Sequence, residues 1–197
     1  MHEKYIKLFY VIWSKIYDTI LDKLFKFDRK ETISELKINK RDKILEIGVG
    51  SGLNLEYYPK YCHVYGIDLS KSMLEKAKNK TIKAKLNLEI TNAESLKYKN
   101  NYFDKALSTY TLRVCKDPNK VLKEISRVVK PKGIFVIFDQ FKENKKVSIR
   151  DFFSSIIGWG KNIYLDDIIK YTSWKVIKIK NKPSNVKLIV LKNVKNE

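Results

Sequence analysis

Glu46, Gly48, Gly50, Gly52 and Asp68 are the residues whose types and spacing could do chemistry. An apolar run at 44–47, with Glu46 inside it, feeds a turn with glycine at every second position. Asp68 comes sixteen residues after Gly52, at the end of a second apolar run, Val64-Tyr65-Gly66-Ile67. A strand, a glycine turn, a helix and a second strand ending in an acid is how an open parallel sheet holds an adenosine ribose. Glycines let a ligand approach the backbone, and the acid would accept hydrogen bonds from ribose hydroxyls. The spacing is G-x-G-x-G, not the G-x-G-x-x-G of dinucleotide sites. A pyrophosphate would want a basic group or a free helix N-terminus beside the turn. Glu46 supplies an anion instead, which suits a cationic ligand. The competing account of these residues is a tight strand-to-helix turn that binds nothing.

Alternating β and α elements must position these residues. Strands are expected at 43–47, 63–67, 88–91, 105–109 and 134–138, with Pro131-Lys132-Gly133 as a turn before the fifth. A short helix is expected at 30–38, another at 53–58 that Pro59 stops, and a third from Ser70 as N-cap to about residue 80. Residues 118–129 place Val121, Leu122, Ile125 and Val128 on one helix face. Residues 165–171 suggest a further helix. Two last strands, 174–179 and 186–191, are joined so tightly through Pro183-Ser184-Asn185 that they must be antiparallel. The fold class is α/β, a doubly wound, mostly parallel sheet of seven strands ending in an antiparallel hairpin. At 197 residues the chain is expected to be one domain: a helical cap at 1–38, a binding core at 40–141 and a substrate-side segment with the hairpin at 142–197.

Composition narrows the class. Hydrophobic content of 44% and aromatic content of 12% indicate a globular chain. Cys62 and Cys115 lack metal-ligand spacing and, with His2 and His63, make no metal cluster; they are expected to be reduced core thiols of a cytoplasmic protein. No apolar run is long enough to span a bilayer. Lys7 interrupts the apolar patch at 6–13 and no small-residue cleavage site follows, which argues against a signal peptide. Residues 3–27 form a basic amphipathic helix with Leu8, Ile12, Ile16 and Ile20 at helical spacing. It would either pack over the sheet, close the site, or lie in a membrane interface. The net charge of +19 reflects either lysine-rich genome bias or an anionic partner, nucleic acid or lipid. An RNA-binding chain usually adds a recognition module or a clustered basic stripe; neither is visible, so a nucleic-acid partner is not expected.

Residues 40–141 resemble the class I S-adenosylmethionine (SAM) methyltransferases. Glu46, Gly48, Gly50 and Gly52 match that family's first motif, which implies that they hold the methionine part of SAM. Asp68 matches the ribose-binding acid, Leu69 and Met73 the positions flanking the adenine, and Asn92-Ala93-Glu94 the loop that reads the adenine edge. Tyr102-Phe103-Asp104 leads into the fourth strand, whose end, residues 108–111 with Thr109, faces the cofactor in this family. Residues 129–133 resemble the turn before the fifth strand, with Lys132 where glycine is usual. The glycine turn with Tyr58-Pro59, residues 112–118, and Ile157-Gly158-Trp159 are similar to the bacterial phosphatidylethanolamine N-methyltransferases. Leu112-Arg113 also resembles the quinone C-methyltransferases. Asp139-Gln140 departs from the polar pair expected after the fifth strand.

The resemblance implies methyl transfer from SAM, with phosphatidylethanolamine-like lipid as the acceptor and the inner membrane face as the working surface. Quinone C-methylation, RNA or protein methylation, and a SAM-binding member without catalysis are the alternatives. No obligate protein partner is expected. Methyl transfer is an in-line displacement, so the protein mainly aligns donor and acceptor. An amine acceptor needs oxygen groups where positive charge grows on nitrogen. Tyr17 and Asp18 on the first helix, Tyr110 after the fourth strand and Asp139 after the fifth are candidates. Alternatively, Tyr17 is core aromatic, Asp18 solvated, Tyr110 part of the cofactor wall and Asp139 a loop cap. Arg113 and Arg150 could hold a lipid phosphate, or lie on the surface. Phe152, Phe153, Ile156, Ile157 and Trp159 would make a lid against acyl chains or cover the fifth strand.

Overall fold

Strands buried on both faces read as near-continuous apolar runs, as residues 134–138 do here, while one acid, Glu46, interrupts the run at 44–47. A computed structural model describes residues 29–142, 163, 164, 166 and 172–196. Its elements are α1 (Arg29–Ser34), β1 (Lys43–Ile47), β2 (His63–Asp68), α2 (Lys71–Lys78), β3 (Lys85–Ile90), β4 (Phe103–Thr109), α3 (Pro118–Val128), β5 (Val129–Gln140), β6 (Trp174–Lys182) and β7 (Val186–Asn193). Seven strands form one sheet in the order β3-β2-β1-β4-β5-β7-β6. The first five run parallel; β7 is antiparallel to both β5 and β6. The order reverses between β1 and β4, and ligands of such sheets bind outside the carboxyl ends of the strands at that point.

Successive side chains point to opposite faces, so each strand feeds two cores. Leu45, Ala106, Phe135 and Ile189 pack with Val121, Leu122, Ile125 and Val128 of α3 and with Trp174. Burying each of those four aliphatic side chains is worth about 1.5–3 kcal/mol. Ile44, Leu107, Val136 and Leu188 face the other way, onto Ile33 of α1, Leu36, and Leu74 and Ala77 of α2. Ser70 caps α2 by accepting from the Met73 N–H. Asp117 caps α3 by accepting from the Lys120 N–H, with Pro118 in the first turn.

Three expectations change in detail. The helix expected at 53–58 is a single 3-10 turn, Leu55–Tyr57. Residues 131–133 do not separate α3 from a strand. The strand begins at Val129, and the chain bulges within it, since Phe103 opposes Val129 while Lys105 opposes Ile134. β3 starts at Lys85, three residues before the expected point. The expected helix over 3–27 with Tyr17 and Asp18, and the segment over 142–160 with Arg150 and the aromatic lid, lie outside the described residues, apart from Lys142. The same holds for the helix over 165–171, apart from Asp166.

α1 is tied to the far edge of the sheet by charge. Glu31 accepts from Lys180 at 2.7 Å and from Lys182, and Glu35 accepts from Lys178 at 2.6 Å and pairs with Lys180 at 3.1 Å. These lysines lower both glutamate pKa values; for Glu35, burial pushes the other way.

Candidate functional site

The turn after β1 bends through left-handed backbone at Gly48 and Gly50, with φ of +63° and +56°. A Cβ at Gly48 would lie 2.1 Å from Thr111 Oγ1, which itself donates to the Ile47 and Thr109 carbonyls. That side chain closes the back of the turn, and only glycine leaves it room. Gly50 is the opposite case. A Cβ there would meet nothing nearer than 3.9 Å, so its bare backbone faces the cleft. Gly52 instead packs on Leu55 and Ala77 and does not line the cleft.

Asp68 at the end of β2 stitches two loops together. Its Oδ2 accepts from the Gly50 N–H at 3.0 Å and its Oδ1 from the Ser70 N–H at 2.8 Å. Burial raises its pKa, against the pull of those N–H groups. Each carboxylate oxygen has a second lone pair, so this acid can hold the turn and still accept from a diol.

A cleft of about 190 Å³ opens at the carboxyl ends of β1, β2 and β4. Of the residues expected at the site, Gly48, Gly50, Asp68, Leu69, Met73, Asn92, Ala93, Glu94, Thr109 and Tyr110 line it. Asn92 Oδ1 accepts from the Glu94 N–H at 2.9 Å, which sets the loop after β3. Glu94 Oε1 accepts from the Asp117 N–H at 2.9 Å. Tyr110 holds a left-handed backbone, φ +52°, and its ring meets Phe138 edge-on at 5.4 Å. A bulky residue in that conformation stores strain of the kind that collects at functional sites.

Besides Gly52, three expected residues sit elsewhere. Glu46 has no exposed surface and does not line the cleft. Its oxygens accept from Asn54 Nδ2 at 2.7 Å and Tyr58 Oη at 2.8 Å. Burial pushes it up to about 7, against those two donors and the Arg29 charge. The anion expected at the turn is thus one layer behind it, with Asn54 between. Asp139 is also fully buried and off the cleft. Its Oδ1 accepts from the Gln140 N–H, while Oδ2 has no hydrogen-bond partner among the described residues. Burial pushes it up to about 7, against the Gln140 N–H, the Arg113 charge and the N–H groups of Arg113 and Leu112. It sits under the 3-10 turn Leu112–Val114 and cannot touch an acceptor in the cleft as described. Arg113 lies on that turn, outside the lining, and donates to Gln140 Oε1 at 2.6 Å.

Arg29, Asn54, Val114, Cys115 and Lys116 line the cleft and were not read from the sequence. Asn54 had a signal, its place directly after the glycine turn. Arg29 had none, because it reaches Asn54 across 25 positions of chain. Cys115 donates to the Thr111 carbonyl, and burial pushes its thiol up to about 12, which disfavours the thiolate.

Residues 45–137 match the family described as a methyltransferase domain. The phosphatidylethanolamine N-methyltransferase of Cereibacter sphaeroides is 29% identical over 171 residues, covering 81% of this chain and 82% of that one. The ubiquinone/menaquinone biosynthesis C-methyltransferase of Francisella philomiragia is 33% identical over 122 residues, covering 56% of this chain; the chain spans about half of that relative, 48%. The geranyl diphosphate C-methyltransferase of Streptomyces coelicolor A3(2), solved with S-adenosyl-L-homocysteine, superposes with a TM-score of 0.74 at 11% identity, covering 84% of this chain and 79% of that one. At such identity the superposition speaks for the fold alone. The cleft fits SAM as cofactor: bare backbone at Gly50, an acid at the end of β2 and a polar loop after β3. With its seven-stranded sheet and its match over residues 45–137, the chain carries a SAM-dependent methyltransferase domain.

Proposed function

We propose that this methyltransferase N-methylates the amine headgroup of a phospholipid such as phosphatidylethanolamine at a membrane surface. The observation that carries this reading is the reach of the Cereibacter match. Its 171 aligned residues extend well past the domain at 45–137, so the likeness takes in flanking segments as well.

SAM supplies a methyl on a sulfonium, which is already a good leaving group. The chain must then hold the donor, admit a neutral amine and stabilise charge growing on nitrogen. Asp68 would take the ribose hydroxyls, Leu69 and Met73 would flank the adenine, and Asn92 to Glu94 would read its edge. Glu46 would act through Asn54 on the methionine end. Tyr110 lines the cleft and is the acceptor-side candidate from the sequence that the described residues bring there; its phenol oxygen is buried, so it would have to turn outward to receive that charge. Tyr17 is the second candidate from the sequence. Asp139 supports the turn that carries Arg113, and Arg113 with Arg150 would hold the lipid phosphate. No helix among the described residues is long and apolar enough to cross a membrane.

A second reading, quinone C-methylation, is favoured by the 33% identity to the Francisella protein over a shorter stretch. The full chain incubated with methyl-labelled SAM and a total lipid extract separates the two. Label co-migrating with amine phospholipids is expected. Label in the quinone fraction would transfer the assignment to the second reading. Label in added RNA but in no lipid would overturn both.

A further inference from the structure

We infer that Arg29 receives the α-carboxylate of the SAM amino-acid moiety. The inference rests on the cofactor and is independent of the methyl acceptor. Besides its sulfonium and ammonium, SAM carries one carboxylate, and a carboxylate taken out of water needs charged or N–H donors. Two basic side chains line the cleft among the described residues, Arg29 and Lys116. They belong to opposite ends. Lys116 adjoins Asp117, whose N–H binds Glu94, so it stands at the end assigned to adenine. Arg29 stands at the glycine turn, where its Nη1 donates to Asn54 Oδ1 at 2.9 Å.

Behind that contact lies a relay that fixes the guanidinium. Asn54 Nδ2 donates to Glu46 Oε1 at 2.7 Å and to Thr109 Oγ1 at 3.2 Å. Both ends of the amide are therefore engaged, and its oxygen must face Arg29. The buried Glu46 sets the Asn54 orientation, and Asn54 sets Arg29 against the bare turn of Gly48 and Gly50. A guanidinium is a planar fork matched to a carboxylate, and its charge does not depend on pH in the physiological range. The helix that carries Arg29 is itself anchored, by Ile33 in the core and by Glu31 on β6. The glutamate of the first motif thus works at a distance, by positioning a cation for the anionic group of the ligand.

Calorimetry on the full chain with two ligands tests this. S-adenosylhomocysteine carries the amino-acid carboxylate; 5′-methylthioadenosine lacks the whole amino-acid part. Arg29→Ala is expected to weaken S-adenosylhomocysteine binding about 10- to 100-fold. Its binding of 5′-methylthioadenosine should match the wild type, which also shows that the variant is folded. Arg29→Lys, which keeps the charge but not the fork, should recover part of the loss. Unchanged S-adenosylhomocysteine affinity in Arg29→Ala would overturn the assignment. Equal losses for both ligands would also overturn it, making Arg29 a support of the turn. A wild type that binds neither ligand would point to failure of the cofactor assignment itself.

Discussion

A carboxyl group with no exposed surface holds its proton to higher pH than the same group in the unfolded chain. Glu46 is such a group, pushed from its ordinary value near 4.5 up to about 7, and Asp139 is pushed to about 7 as well. The sign follows from linkage. A raised folded-state pKa contributes stability that is complete below the unfolded value and is lost as pH rises through the folded one. The Tm of the cofactor-free protein should therefore fall between about pH 5 and about pH 8, a window above that of ordinary carboxylates. Glu46→Gln keeps an amide that can accept from Asn54 and donate to Tyr58, while removing the titration. Its Tm should fall less steeply over that window, with the residual slope belonging to Asp139. A pH series of thermal melts checks this, and parallel curves for the two proteins would contradict it. The same burial explains what was illegible at this residue. The type and position of Glu46 mark a charged group at the turn, but its place behind Asn54 and Tyr58 depends on side chains folded over it later in the chain.

At the scale of elements, α1 is held beside the site by β6 as well as by Ile33 in the core. Glu31 and Glu35 meet Lys178, Lys180 and Lys182 across almost the whole sequence. Lowered glutamate pKa values mean that this contribution is full above the ordinary glutamate range and is lost as pH falls through the folded values. Glu31→Gln with Glu35→Gln should lower Tm at about pH 7, and the gap from the wild type should narrow as pH falls through the folded values. The variant should also bind S-adenosylhomocysteine several-fold more weakly, because α1 carries Arg29. A Tm gap that stays constant with pH would show that the ion pairs do not tie α1 down. No local pattern announces this clamp. The sequence marks what local patterns encode: the buried runs of β1, β4 and β5, the Ser70 cap of α2, the apolar face of α3 and the Pro183-Ser184-Asn185 hairpin turn. It misleads at 53–58, where one 3-10 turn stands in place of a helix, and at 131–133, where a bulge lets the strand continue. Long-range pairing decides both. The candidate residues that line the cleft were legible because one turn and the strand ends gather them; Arg29 was not, because it reaches the cleft from a distant segment.

At the scale of the whole molecule, the charge of +19 has to be apportioned before it can be assigned to a partner. Lys178, Lys180 and Lys182 are spent on α1, and Arg127 on Glu124, so these cations are poor candidates for a docking face. The segment at 3–27 is different in kind. It carries Lys4, Lys7, Lys15, Lys23 and Lys26 together with Phe9 and Trp13 at helical spacing. Charge attraction to an anionic leaflet is screened by salt, whereas insertion of aromatic rings is not. The two contributions can therefore be separated in one experiment with the full chain. Co-sedimentation should be strong with vesicles containing anionic lipid at low salt, and weak with purely zwitterionic ones. Added salt should reduce it without abolishing it, because the apolar face remains inserted. Phe9→Ser with Trp13→Ser should remove the salt-resistant part and leave the salt-sensitive part, which rests on the lysines. Binding that salt abolishes completely, or that the double substitution leaves intact, would mean that lysines alone hold the protein to the surface. Absence of binding to anionic vesicles even at low salt would remove membrane docking from the proposed function, and the excess of lysine would then be a property of composition.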